Sequence, residues 1–195
     1  MANYHAIAAI AAALRGLLHE RYPRPEFGNT LSIKTVQPKD IAGLTGEGIA
    51  ILVWRITINT QRRGLPGRID LMGQRFKPSL PVDISILLIP HAVDPERQLQ
   101  LSGWAMRALA DAGPLSATQL NNYLSDNDIF SDVEEVDLTC DPLALADYLS
   151  LWDRLKKYPL SVNYIARMVL IDSEQQLIEG VPVIEREFNA GVMAQ

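Results

Sequence analysis

Three histidines, one cysteine and two stretches of opposite charge are the residues of this 195-residue chain most open to a chemical reading. His5 and His19 fall fourteen residues apart on one expected helix. A rise of 1.5 Å per residue separates them by about 21 Å, too far to share a metal. The single cysteine, Cys140, excludes an intrachain disulfide and any cysteine-cluster metal site. Its acidic neighbours disfavour a reactive thiolate. Asp126, Asp128 and Asp132 imitate the start of a calcium loop, but the glycine and distal glutamate of such a loop are missing. The glycine-rich stretch GLTGEG at 43–48 lacks a following Gly-Lys-Ser/Thr, and the next segment reads as a strand, so it is no phosphate loop. His-Glu-x-x-His and Gly-x-Ser-x-Gly patterns are absent as well. A carboxylate pair assembled across the fold stays open, since no spacing selects one. The expectation is a protein without enzymatic activity, cofactor or metal.

The charges carry more. Residues 1–98 hold 12 basic and 8 acidic side chains, residues 99–195 hold 6 and 15. Arg55, Arg62, Arg63, Arg68, Arg75 and Lys77 stand against Asp70 alone within 54–77, a local charge of +5. Asp126, Asp128, Asp132, Glu134, Glu135, Asp137 and Asp141 stand unopposed within 126–141, a local charge of −7. One reading is a pair of solvated loops that differ in sign. The other is two complementary surfaces for repeated subunit contact, or one surface facing a charged partner. Arg62 and Arg63 fit a salt-bridge role against acidic groups of a neighbouring subunit better than a phosphate site. A net charge of −5 argues against a nucleic-acid binder that works by neutralising phosphates.

These stretches need elements to position them. Asn3 is placed to cap a helix running to about Glu20, with Tyr4, Ile7, Ala11, Leu14 and Leu18 as its stripe and Ile10 and Leu17 widening it. The many alanines let this helix approach a sheet closely. Tyr22-Pro23-Arg24-Pro25 ends it. A short strand around Leu31, Ile33 and Thr35 stops before Pro38. Residues 49–60 form the strongest strand candidate, with Trp54, Ile56 and Ile58 on a buried face and Arg55, Thr57 and Asn59 opposite. Gln61 to Pro78 reads as a long basic loop. PVDISILLIP at 81–90 is a third strand. Asp94-Pro95 starts a helix to about Asp111, stopped by Gly113-Pro114, with Leu101, Trp104, Ala105, Ala108 and Leu109 inward. Ser116 and Gln119 match a capping box for a short helix through Leu124.

Ile129, Val133, Val136 and Leu138 suggest a charged edge strand within the acidic segment. Asp141-Pro142 looks like another helix start, followed by a stripe of Leu145, Tyr148, Leu149, Trp152 and Leu155. Residues 160–171 are a strand, and 181–188 a final one. Trp54, Trp104 and Trp152 are expected to pack in the core. The pattern predicts an α/β fold, a mixed and mainly antiparallel sheet packed by helices, formed by a single domain over 1–195. The surface-scaling relations bury roughly 70% of the extended chain's surface, ample for a core. Arg15 and Arg55 interrupt the two most apolar runs, so no membrane insertion is expected.

Four segments taken together resemble a family: NYHAIAAIAAALRGLL, VWRITINTQRRGLP, KPSLPVDISILLIP and LWDRLKKYPLSVNYIARMVLI. The chain resembles the amino-terminal domain family of the tail terminator, or cap, proteins of contractile injection systems over roughly residues 3–172, with 173–195 left as a terminal strand and tail. The family's asparagine after a strand, then an arginine and a Leu-Pro turn, falls on Asn59, Arg62, Leu65 and Pro66. Arg63 stands where members often carry asparagine. The strand with a polar residue falls on Lys77 to Ile84, the polar residue being Asp83. Trp152, Pro159, Leu160, Ser161 and Tyr164 match a further pattern, where Pro159 replaces a common arginine.

The resemblance implies a phage tail-terminator-like fold and a non-enzymatic role. It implies a six-membered homo-oligomeric ring at the end distal to the baseplate, in contact with the tail tube protein and the contractile sheath protein. Such a ring stops the tube and anchors the last sheath layer. Assembly would be cytoplasmic, followed by incorporation into the particle. Arg55, Arg62, Arg63, Arg68, Arg75 and Lys77 on one side, with Asp132, Glu134, Glu135 and Asp137 on the other, are the candidate interface residues. A baseplate or completion adaptor with the same domain is the alternative.

Overall fold

A computed structural model describes residues 2–61, 65–70, 72–124, 128–155 and 160–177, with the backbone alone at Arg154 and Leu155. Helix α1 (Ala6–Arg21) is followed by a single turn, α2 (Arg24–Phe27), and strand β1 (Ser32–Thr35). A 3-10 helix over Pro38–Gly43 leads into β2 (Gly48–Ile58), the short strands β3 (Arg68–Ile69) and β4 (Arg75–Phe76), and then β5 (Leu80–His91). Helix α3 (Pro95–Ala112), β6 (Leu115–Ser116), α4 (Ala117–Asn121), β7 (Glu135–Val136), β8 (Leu138–Cys140), α5 (Leu145–Leu155) and β9 (Val162–Ile171) complete the order. The main sheet has five strands in the order β1-β2-β5-β9-β8. β1 and β2 are parallel and every other neighbouring pair is antiparallel. This is the mixed, mainly antiparallel α/β architecture expected.

Both faces of the sheet are covered. Ile49, Ile51, Val82, Ile84, Ile86 and Leu88 point into a large core with α1, α3 and α4. Ala50, Leu52, Leu87 and Ile89 point into a smaller core with Ile41 of the 3-10 helix and Trp152 of α5. Strand β5 is therefore apolar on both sides over much of its length, as a central strand must be.

The alanines of α1 serve as expected. Ala6, Ala9, Ala11, Ala12 and Ala13 are buried together with Ile10, Leu14, Leu17 and Leu18. Tyr4, placed on that stripe, is exposed instead, because regular helix begins only at Ala6. Asn3 acts a turn early: its Oδ1 accepts from the His5 N–H at 2.9 Å and its carbonyl from the Ala6 N–H. Gly16 lets α1 approach the end of α4, since a Cβ there would collide with the ring of Tyr123. Burial, then the hydrogen bond and negative charge of Glu20, push the Tyr123 phenol up to about 12, while Arg21 opposes them. Gly16→Ala should gain up to about 1 kcal/mol in helix propensity and lose about 1–3 kcal/mol to overpacking. A net loss is expected by urea denaturation, and it should vanish when Gly16→Ala is instead made in a Tyr123→Ala background; an unaltered midpoint in the single variant would show that the ring is free to move.

The two Asp-Pro pairs behave differently. Asp94 caps α3, its Oδ2 accepting from the Arg97 N–H at 3.2 Å, and Gly113 ends the helix at φ 65°. Asp141 does not start α5. Its N–H donates to the Asn163 carbonyl at 3.0 Å and its own carbonyl accepts from Asn163 Nδ2 at 2.7 Å. The sheet holds Asp141, so the helix starts at Leu145. The buried face of α5 is accordingly Tyr148, Leu151 and Trp152, with Leu145 and Leu149 exposed. The capping box of Ser116 and Gln119 is present, but α4 stops at Asn121 rather than Leu124. The basic stretch is not wholly a loop, since β3 and β4 pair as a small antiparallel unit. The strand expected at 181–188 lies outside the described residues.

Candidate subunit interface

The end of β2 departs most from expectation. Trp54 is an extra residue between Val53, opposite Ile86, and Arg55, opposite Ser85. This bulge reverses the alternation. Trp54 keeps to the smaller core, whereas Ile56 and Ile58 pair with Ile84 and Val82 on the opposite side of the sheet. There they are 48% and 61% exposed instead of buried, and Asn59 is buried instead of exposed. Strand β1 reaches only as far as Ile51 along β2, apart from a further bond from the Val36 N–H to the Ile51 carbonyl. Among the described residues, Arg55 to Ile58 thus form an open sheet edge.

The other edge is β8. It pairs with β9 through Leu138–Ala166, Thr139–Ile165 and Cys140–Tyr164, and no other described strand pairs with it. Burial first, and then the neighbouring Cys140, raises the pKa of the Tyr164 phenol. Thr139, Cys140, Asp137 and Glu135 are exposed along this edge. The 5%-exposed Asn163 fixes the two edges relative to each other. Its Oδ1 accepts from Trp54 Nε1 at 2.9 Å, and its Nδ2 donates to the Asp141 carbonyl at 2.7 Å.

The candidate charges divide by position. Arg55 is exposed beside the β2 edge, its guanidinium 4.9 Å from the centre of the Trp54 ring, with no carboxylate partner among the described residues. Arg68 is engaged within the chain, with Asp172 at 3.2 Å and the Phe76 ring at 4.4 Å. Lys77 Nζ donates to Gln175 Oε1 at 2.6 Å, and Arg75 is exposed on β4. Arg62 and Arg63 lie outside the described residues, as does Asp126. In the acidic segment, Glu134 accepts from the N–H and hydroxyl of Ser131, making a local turn. Asp132 and Glu135 are exposed, and Asp137 accepts from Thr139 Oγ1 at 3.5 Å. Strands β5 and β9 stand between Arg55 and the acidic edge. Three strand spacings, about 14 Å, keep the two charges from neutralising each other within one sheet.

Asn59 and Asp83, matched to family positions on sequence, meet. Asn59 Nδ2 donates to both carboxylate oxygens of Asp83, at 3.1 and 3.0 Å. Asp83 Oδ1 also accepts from the Met168 N–H at 2.9 Å. It sits at a register shift in β5, opposite a residue of β9 held at φ 58°. Sequence reasoning missed Ile56 and Ile58 as surface residues because the bulge has no residue signature. Thr139 was missed for want of strand order.

A groove of about 230 Å³ beside Cys140, Tyr148, Ser161 and Asn163 has no histidine or carboxylate among the described residues of its lining. No group of three or more His, Cys, Asp or Glu among the described residues could hold a metal ion. No described helix is long and apolar enough to cross a membrane.

The fold defines an α/β module built around a sheet with open edges among the described residues. The chain belongs to the Pvc16 N-terminal domain family, whose pattern matches residues 9–185. Its fold is similar to the sheath/tube terminator of an extracellular contractile injection system, PVC, in the extended state. The TM-score is 0.59 at 14% identity, over 96% of this chain and 64% of that one. It is also similar to the tube-terminating cap of the anti-feeding prophage, with a TM-score of 0.58 at 17% identity, over 92% of this chain and 59% of that one. The chain spans less than two thirds of the length of either structure. No curated protein matches it in sequence.

Proposed function

We propose that this protein is a structural cap of a contractile injection system. It ends the inner tube and anchors the terminal sheath layer at the end distal to the baseplate. The observation that carries the reading is family membership across residues 9–185, joined to a fold like that of two tube-terminating proteins. A cap must match the last ring of a growing tube on one face and refuse further addition on the other, and it must close on itself head to tail. The proposed assembly is a homo-oligomeric ring of six copies of the 21.6 kDa chain, contacting the tube protein and the sheath protein. Arg55, Arg62, Arg63 and Arg75 are the basic side of its subunit contact, and Asp132, Glu135 and Asp137 the acidic side. Arg68 and Lys77, bonded to Asp172 and Gln175, brace the β3–β4 unit that carries Arg75. Assembly takes place in the cytoplasm, before incorporation into the particle.

Particles assembled with and without the chain test this directly by electron microscopy. Without it, tubes of unregulated or unstable length are expected. With it, density for the chain should appear at the end away from the baseplate. Normally capped particles in its absence would overturn the reading.

A further inference from the structure

We infer that the ring closes by sheet continuation: the β8 edge of one copy pairs antiparallel with the Arg55–Ile58 edge of β2 in the next. The inference rests on the head-to-tail ring proposed above and names the surface that forms it. Three observations carry it.

The first is level. The register runs Ile56–Ile84–Ala166–Leu138 in one row and Arg55–Ser85–Ile165–Thr139 in the row beside it. The two open edges therefore lie at the same height on opposite sides of one sheet. A step joining them carries little offset along the strands, which suits copies related by rotation about an axis along the strands.

The second is direction and length. β2 is antiparallel to β5, β5 to β9 and β9 to β8, so β8 runs opposite to β2. Copies related by rotation about an axis along the strands would bring the two together antiparallel. The open run of β2 after its bulge is four residues and β8 is three.

The third is side-chain chemistry. Continuing the rows puts the exposed Ile56 against Leu138 of the next copy, which is partly buried at the rim of the larger core. On the other face it puts Arg55 against Thr139, with Asp137 and Asp141 as the diagonal neighbours two residues away. Diagonal positions lie about 7–8 Å apart, within reach of an arginine. Asp141 already faces Arg167 at 3.6 Å, so Asp137 is the principal partner. A bulge and an inward or edge charge are the usual devices that keep an edge strand from indiscriminate pairing. Here the arginine leaves the edge available to an acidic strand and unattractive to a basic one.

The test uses the full chain with Arg55→Cys and Thr139→Cys, in a Cys140→Ser background. Oxidised, it should give a ladder of covalent oligomers ending at the ring, with disulfide-linked peptides that join position 55 of one copy to position 139 of another. An equimolar mixture of the two single variants should stop at covalent dimers. Hydrogen exchange on the unmodified protein provides an independent reading. Within Arg55 to Ile58, the alternate amides that point away from β5 should exchange roughly tenfold or more slowly in the ring than after dissociation by salt. A ring of the expected mass with no such disulfide and no such protection overturns the edge pairing and leaves the cap reading standing. A chain that stays monomeric at all concentrations, with and without the substitutions, overturns closure by this edge pairing, and the particle experiment alone decides the cap reading.

Discussion

Replacing Trp152 with alanine is expected to lower stability by about 3–5 kcal/mol, the range for removing a large aromatic from a core. Trp152 is 0% exposed. It is the large side chain by which α5 fills the smaller core, against Ala50, Leu52, Leu87, Ile89 and Ile41. Tyr148 meets it edge-on at 5.5 Å between ring centres. The core is small enough that its neighbours have little with which to refill the space. Its Nε1 has no hydrogen-bond partner among the described residues, so part of its contribution is already offset by a buried donor. Trp152→Phe should therefore cost distinctly less than Trp152→Ala. Urea denaturation of both variants measures the difference. A loss below about 1 kcal/mol for the alanine would mean that α5 is not held by this core.

Asp83→Ala should cost about 3 kcal/mol, since charge-assisted hydrogen bonds contribute about 1.5–3 kcal/mol each and orphaned buried donors add to the loss. The carboxylate bonds Asn59 at the exit of β2 and the Met168 N–H in β9. Without it, a methionine at φ 58° would have nothing to justify a backbone shape that costs about 1–3 kcal/mol. Met168→Gly in the Asp83→Ala background should recover part of the loss, because glycine carries no such penalty. An additive double variant with no recovery would show that the backbone there is set by something else. Asp83→Asn retains an acceptor for one of the donors and should fall between the two.

Much of the fold was legible because local chemistry agreed with tertiary demand. Asp94-Pro95 capped a helix, Ser116 and Gln119 made their box, and the apolar runs of β5 and β9 fell where the sheet needs them. Asp141-Pro142 carries the same signal as Asp94-Pro95, but Asn163, twenty-two residues away, claims Asp141 for the sheet. The alternation of Trp54, Ile56 and Ile58 failed for a different reason. A single bulged residue reverses parity, and nothing in residue type announces it. The signs and extents of the charged stretches were legible, and so was the family, from the order of four segments. The placement of Arg55 and Asp137 at opposite edges was not, because it depends on the strand order β1-β2-β5-β9-β8.

That order also governs how the chain emerges during synthesis. β5 lies in the middle of the sheet, yet its second neighbour, β9, begins at Val162, long after β5 ends at His91. At 5–20 residues per second the ribosome needs about 4–14 s to deliver β9. Through that interval a strand apolar on both faces has β2 on one side and a bare edge on the other. Chains cut short between α3 and β9 should consequently be captured by chaperones or aggregate, while the completed chain conceals this edge for good.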